Sequence, residues 1–240
     1  MTTTTTLTAA DPEALARRAA DWLSDRAGAA DGRFAVALSG GSTPRRLYQL
    51  LAAAPYRDRM PWARIHLFWG DERFVPPDHP DSNFRMANEA LIKHVPIPAA
   101  NVHAIPTDGT PADAARRYEQ TLQAYYGSAT LAAGRPLFDV TFLGLGPEGH
   151  TASLFPGTAA LDERRAWVTS VIGAKPEARI TLTYPALESS RAAAFLIAGA
   201  EKHDILGRVR PGDPALPAGR LRPQGELWWL TDRAAEDGGS

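Results

Sequence analysis

The stretch FAVALSGGSTPRRLYQLLAA (Phe34–Ala53) carries three local signals in one short run. Phe34–Leu38 is an unbroken apolar segment, the pattern of a strand covered on both faces. Gly40 and Gly41 end it. Ser42 or Thr43 can cap a helix, and Pro44 fits its first turn. Leu47, Leu50, Leu51 and Ala54 then recur on one helical face. A buried strand that turns through glycines into a helix is a building unit of a parallel α/β sheet.

The alternation continues on both sides. Leu15–Leu23 has small apolar residues at helical spacing. RIHLFW (Arg64–Trp69) reads as a strand and NFRMANEALI (Asn83–Ile92) as a helix. NVHAI (Asn101–Ile105) reads as a short strand, and PADAARRYEQTLQAYYG (Pro111–Gly127) as a long amphipathic helix stopped by glycine. FDVTFLGLG (Phe138–Gly146), AWVTSVI (Ala166–Ile172), ARITLTY (Ala178–Tyr184) and AAAFLIAG (Ala192–Gly199) are further strands. AEKHDILGRV (Ala200–Val209) is a short helix and ELWWLTD (Glu226–Asp232) a last strand. The expected fold is α/β: a Rossmann-like, doubly wound, mostly parallel sheet with helices on both faces, in a single domain over 1–240. The threonine run of residues 1–10 and the end, 234–240, read as flexible tails. The Pro/Gly-rich stretch Pro211–Pro223 reads as a surface loop.

Composition narrows the function. The 26 basic and 27 acidic side chains nearly cancel, which points away from nucleic acid and membrane surfaces. Cysteine is absent, so disulfides, thiolate nucleophiles and zinc–thiolate sites are excluded. No stretch approaches the roughly 20 apolar residues of a membrane span, and the N-terminus lacks a secretory pattern. A cytoplasmic protein is expected.

In a doubly wound sheet, ligands bind beyond the carboxyl ends of the strands, and four candidate stretches lie there. SGGSTP (Ser39–Pro44) can bring backbone N–H groups and a helix N-terminus to a phosphate; a plain capped turn is the alternative. WGDERF (Trp69–Phe74) projects Asp71 and Arg73 beyond a buried strand, where the first can orient or exchange a proton and the second can stabilise negative charge. A solvated ion pair is the alternative, and Ser82 or Asn83 can cap the next helix. In FLGLGPEGHTASLFP (Phe142–Pro156), Glu148, Gly149 and His150 sit at a glycine-rich strand exit. Of six histidines, only His150 has that setting; His66, His79, His94, His103 and His203 read as structural or solvated. Histidine is the side chain suited to general-base work at neutral pH. Finally, Arg179 begins a strand and Lys202 a helix. Either can close over an anion, against the alternative of a solvated cation.

SGGSTP, WGDERFVPPDHPDSNF (Trp69–Phe84), GLGPEGHTASLFP (Gly144–Pro156) and ARITLTYPAL (Ala178–Leu187), in that order, resemble the 6-phosphogluconolactonase family. That family shares a fold group with glucosamine-6-phosphate deaminases/isomerases. The resemblance extends from about Phe34 to Leu206. It implies hydrolysis of 6-phospho-D-glucono-1,5-lactone in the oxidative pentose phosphate pathway, by a monomer, with no metal or organic cofactor. It implies His150 as base toward water, with Asp71, Arg73 and Glu148 as catalytic partners. Gly40, Gly41, Ser42, Thr43, Asn83, Arg179 and Lys202 are then the substrate- and phosphate-binding set. Relatives usually carry aspartate at the position of Glu148, and the longer stem argues against direct contact with His150. Two other readings stand beside this one. The deaminase/isomerase pattern needs a glutamate where this chain has Phe155 and a tyrosine where it has Arg73. A non-catalytic sugar-phosphate-binding protein is the remaining alternative.

Overall fold

The computed structural model describes residues 3–238; the expectations for residues 1, 2, 239 and 240 lie outside it. In chain order the elements are β1 (Thr4–Ala9), α1 (Pro12–Ala29), β2 (Phe34–Leu38), α2 (Ser42–Leu51), α3 (Tyr56–Arg59), β3 (Ile65–Trp69), β4 (Asp71–Arg73), α4 (Asn83–Ala90) and α5 (Pro111–Tyr126). There follow β5 (Phe138–Leu143), β6 (Val168–Val171), β7 (Arg179–Leu182), α6 (Tyr184–Glu188), β8 (Ser190–Ile197), α7 (His203–Val209), β9 (Glu226–Asp232) and α8 (Arg233–Asp237). Six strands form one sheet in the order β1-β9-β8-β5-β2-β3, and every pairing in it is parallel. β2 is buried along its whole length, as its unbroken apolar run predicts. β2 has β3 on one side and β5 on the other, so the chain reverses direction across the sheet at this strand. Ligand-binding crevices open at such a point, beyond the carboxyl ends of the strands.

Local chemistry sets the helix starts. Asp11 accepts the Ala14 N–H at 2.8 Å and Pro12 opens α1. α1 buries Leu15, Ala16, Ala19, Ala20, Leu23 and Ala27, and each leucine contributes about 1.5–3 kcal/mol by leaving water. Thr110 caps α5, which ends at Gly127 in the left-handed conformation.

Four expectations are corrected. Residues 4–9 are not a loose tail: the threonines pair with β9 residue for residue, as β-branched side chains favour. The other tail is a helix as far as Asp237, where Asp232 caps α8 by accepting the Ala235 N–H. β6 and β7 do not join the parallel sheet. With β4 they form a small antiparallel sheet, β4-β7-β6, because the short turn after β6 is too brief for a helical crossover. Asn101–Ile105 forms no strand. It makes one bridge, Val102 to Leu67, between flanking prolines that limit any ladder.

Two buried tyrosines fix the strand ends that face the crevice. The Tyr48 hydroxyl accepts the Ser39 N–H at 3.0 Å and donates to the Ser39 carbonyl at 2.9 Å. Tyr118 does the same for Trp69, at 2.8 and 3.0 Å. Burial pushes both phenols up, so each remains a neutral donor and acceptor.

On the edge strand β3, His66 stacks on His103, with Nδ1 and Nε2 3.1 Å apart. Desolvation, then the proximity of His103 and Arg33, lowers the His66 pKa to about 4. The unfolded ring takes up its proton near pH 6.5, so between about 6.5 and 4 the unfolded chain binds more protons than the folded one. Stability is therefore present above that window and is lost as pH falls through it. Thermal melts should show a smaller drop in Tm from pH 7 to pH 5 in His66→Phe than in the parent. An equal drop would dismiss the histidine pair as its source. Among the described residues no helix is long and apolar enough to cross a membrane.

Candidate active site

Beyond the carboxyl ends of β2, β3 and β5 lies a cavity of about 280 Å³. Gly40, Gly41, Asp71, Arg73, Asn83, His150 and Arg179, all singled out from the sequence, line it, together with Ser153, Phe155 and Lys175. A neighbouring cavity of about 240 Å³ shares the wall made by Gly40, Gly41, Gly144 and Leu145, and holds Ser42, Thr43, Lys202 and, beside the lysine, the carboxylate of Glu201. The two cations expected to act together are thus separated: Arg179 faces the His150 cavity and Lys202 the neighbouring one. The Lys202 ammonium donates to the Leu145 carbonyl at 2.8 Å. α2 opens with Gly41 as its N-cap and no side chain satisfying its first N–H groups.

The turn after β5 builds the histidine site. The Gly146 N–H donates to the His150 carbonyl at 2.9 Å, and the Gly149 N–H to the Gly146 carbonyl at 3.0 Å. The imidazole packs on Phe155 with ring centroids 4.6 Å apart. Its Nδ1 lies 2.9 Å from Glu148 Oε2, in ion-pair range though without the alignment of a hydrogen bond. The longer glutamate stem therefore reaches the ring, against the expectation. Lys175 donates to the other carboxylate oxygen at 3.0 Å. Burial pushes the Glu148 carboxyl up. Its own backbone N–H, then His150 and Lys175, outweigh that and hold its pKa at about 2. Glu148 is accordingly an anion across the working pH range. With Nδ1 turned to Glu148, Nε2 is the nitrogen available for chemistry.

Beyond β3, the middle residue of Asp71–Glu72–Arg73 does unexpected structural work. Glu72 is 1% exposed. Its carboxylate accepts the N–H groups of Arg73 (2.8 Å), Asn83 (2.7 Å) and Phe84 (2.7 Å), and the Ser82 hydroxyl at 3.1 Å. An anion at the N-terminus of α4 thereby ties that helix to β4. Ser82, not Asn83, is the cap. The Asn83 amide donates to the Asp71 carbonyl at 2.9 Å, and its Oδ1 sits where a side chain on Gly40 would stand. The Ser153 hydroxyl donates to Asp71 Oδ2 at 2.6 Å.

Three contributors were not read from the sequence. Glu72 looks like one more charge in a charged run. Lys175 lies in the turn between two strands that were placed elsewhere. The stretch 211–223 is not a surface loop, since Leu216, Ala218 and Leu221 are buried. The Ala218 N–H donates to the Gly149 carbonyl at 2.9 Å, bracing the histidine turn from behind. The apolar residues at 216, 218 and 221 were the available signal.

With this geometry in hand, comparison with known proteins is informative. The model for glucosamine-6-phosphate isomerases/6-phosphogluconolactonase matches residues 10–229. The chain belongs to this family. A 6-phosphogluconolactonase of Nostoc sp. is 49% identical over 209 residues, 85% of this chain and 84% of the relative. A chloroplastic 6-phosphogluconolactonase of Arabidopsis thaliana is 39% identical over 92% of this chain and 70% of its own length. The crystal structure of the Thermotoga maritima 6-phosphogluconolactonase superposes with a TM-score of 0.79 at 32% identity, covering 97% of this chain and 100% of that one. Within the family, then, this chain is an enzyme of the 6-phosphogluconolactonase group, on the α/β fold with a mostly parallel sheet expected from its sequence.

Proposed function

We propose that the protein, as one lactonase domain and a cytoplasmic monomer, hydrolyses 6-phospho-D-glucono-1,5-lactone to 6-phospho-D-gluconate in the oxidative pentose phosphate pathway. The observation that carries the proposal is the shared glycine wall: an anion-suited cavity at the start of α2 adjoins one that holds a carboxylate-oriented histidine. The phosphate binds at Gly41, Ser42, Thr43 and Lys202. The sugar lies along Gly40 and Asn83 toward His150, so its fixed tail presents the lactone carbonyl to the imidazole.

His150 Nε2 takes a proton from water as the oxygen attacks C1. The carbonyl π pair moves to oxygen, and Arg73 stabilises the tetrahedral oxyanion. As the carbonyl re-forms, the C1–O5 bond breaks, and O5 takes the proton back from the imidazolium to become the C5 hydroxyl. Glu148 and Asp71 orient the reacting groups. The carboxylic acid formed at C1 then ionises in water. No step of this sequence calls for a cofactor.

Phe155 packs on His150 where the deaminase/isomerase pattern requires a glutamate, which favours the lactonase reading. The test is lactone consumption above the spontaneous rate, run beside ammonia release from glucosamine 6-phosphate. The proposal predicts the first without the second; release of ammonia alone would refute it.

The carboxylate beside His150 gives a further prediction. Glu148→Gln removes the anion that lies 2.9 Å from Nδ1 and orients the ring. kcat/KM at neutral pH should therefore fall by roughly 10-fold or more, with little change in Tm. An unchanged kcat/KM would mean that Glu148 does not act on His150.

A further inference from the structure

We infer that Arg73 and Arg179 together form a carboxylate subsite, which holds the C1 carboxylate of the sugar-acid product and the C1 oxyanion that precedes it, apart from the phosphate end. The identity of the ligand rests on the lactonase reading; the subsite itself rests on the following geometry.

The two arginines are directly paired across the antiparallel β4–β7 ladder, and both line the His150 cavity. Like charges placed opposite one another in a sheet destabilise it. Here the cost is increased by burial. The Arg179 side chain is only 12% exposed, and its Nε is buried without a hydrogen-bond partner among the described residues. Its ion pair, to Glu177, is long at 3.5 Å. Desolvation, then Arg73 alongside, lowers the proton affinity of Arg179, and Asp71, Glu177 and Glu72 offset this only in part.

The neighbouring carboxylates act on Arg179 but are committed to other partners. The Asp71 carboxylate accepts the Ser153 hydroxyl at 2.6 Å and the Asn83 amide at 3.5 Å. Glu148 is taken up by Lys175 and His150. Glu72 points its oxygens at the start of α4. Arg73, for its part, is anchored by donation from Nη1 to the Asp81 carbonyl at 2.6 Å. Two guanidinium groups on adjacent rigid strands, one underpaired, suit a planar two-oxygen anion. Hydrolysis places such an anion at C1, next to His150, while the phosphate occupies the other cavity beside Lys202. A lactone has no carboxylate, so the subsite is fully used only after the water has attacked. Stabilisation is thereby directed at the transition state and product.

The test compares two probes that share a phosphate and a six-carbon chain: 6-phospho-D-gluconate, and D-glucitol 6-phosphate with CH₂OH in place of the carboxylate. Calorimetry on the parent should show the acid binding roughly 10- to 100-fold more tightly. Arg179→Gln and Arg73→Gln should each erode that preference, and Arg179→Lys, which keeps charge but loses the fork, should erode it in part. Lys202→Gln should weaken both probes equally. Equal binding of the two probes by the parent would overturn the subsite. So would an Arg179→Gln protein, folded by its thermal melt, that weakens both probes alike, since the pair would then hold the phosphate. A parent that prefers the acid but does not hydrolyse the lactone would leave the subsite standing and remove the proposed reaction.

Discussion

His150→Asn is expected to lose roughly 10²–10⁴-fold in kcat, the usual contribution of a positioned base. The side chain is 22% exposed and its ring contact is a tilted packing on Phe155, so the fold should survive. Asparagine is polar and smaller, and it cannot take a proton from water at neutral pH. The residual rate would come from the two arginines and from substrate placement, both of which the substitution leaves alone. Kinetics at saturating lactone, with a thermal melt beside them, check the expectation. A variant as fast as the parent would remove His150 from the chemistry and leave the cavity as a binding site only.

The second large effect involves a residue that touches no substrate. A Cβ on Gly146 would stand 1.9 Å from His150 Nδ1 and 2.0 Å from its Cε1. Contacts that short cannot be relieved by small shifts, so Gly146→Ala must swing the imidazole out of its place between Glu148 and Phe155. A misplacement of about 1 Å can cost on the order of 10²-fold in rate, and kcat/KM should fall at least that far. The ring has open space on its cavity side, so Tm should change much less than activity. If Gly146→Ala keeps the parent's kcat/KM, the observed ring position is not the one that catalysis uses.

How much of this could be read in the chain depends on how local each determinant is. The β2–α2 unit was legible because its apolar run, glycines and cap are contiguous. His150 stood out because glycines flank it at a strand exit. Asp71 and Arg73 were legible for the same reason. Glu72 was not, because two of the N–H groups that hold its carboxylate begin α4, eleven and twelve residues later. The split into two sheets was also hidden: β6 and β7 are short apolar runs like the others, and only the length of the turn between them separates a hairpin from a crossover. Thr4–Ala9 looked unstructured because its strand pairing depends on β9, at the far end of the sequence. The division of the expected anion set, Arg179 to one cavity and Lys202 to the other, follows from β7 leaving the main sheet. It could not be read before the topology was known.

Whether one end of the crevice grips a phosphate while the other hydrolyses an ester is best tested by a pair of substrates. kcat/KM should be measured for 6-phospho-D-glucono-1,5-lactone and for D-glucono-1,5-lactone, in the parent and in Lys202→Gln. The phosphorylated lactone should be preferred by about 10²-fold or more in the parent, because binding energy at the remote phosphate is used at C1. Lys202→Gln should erase much of that preference while leaving the unphosphorylated rate nearly unchanged. Equal kcat/KM for the two lactones in the parent would contradict the account.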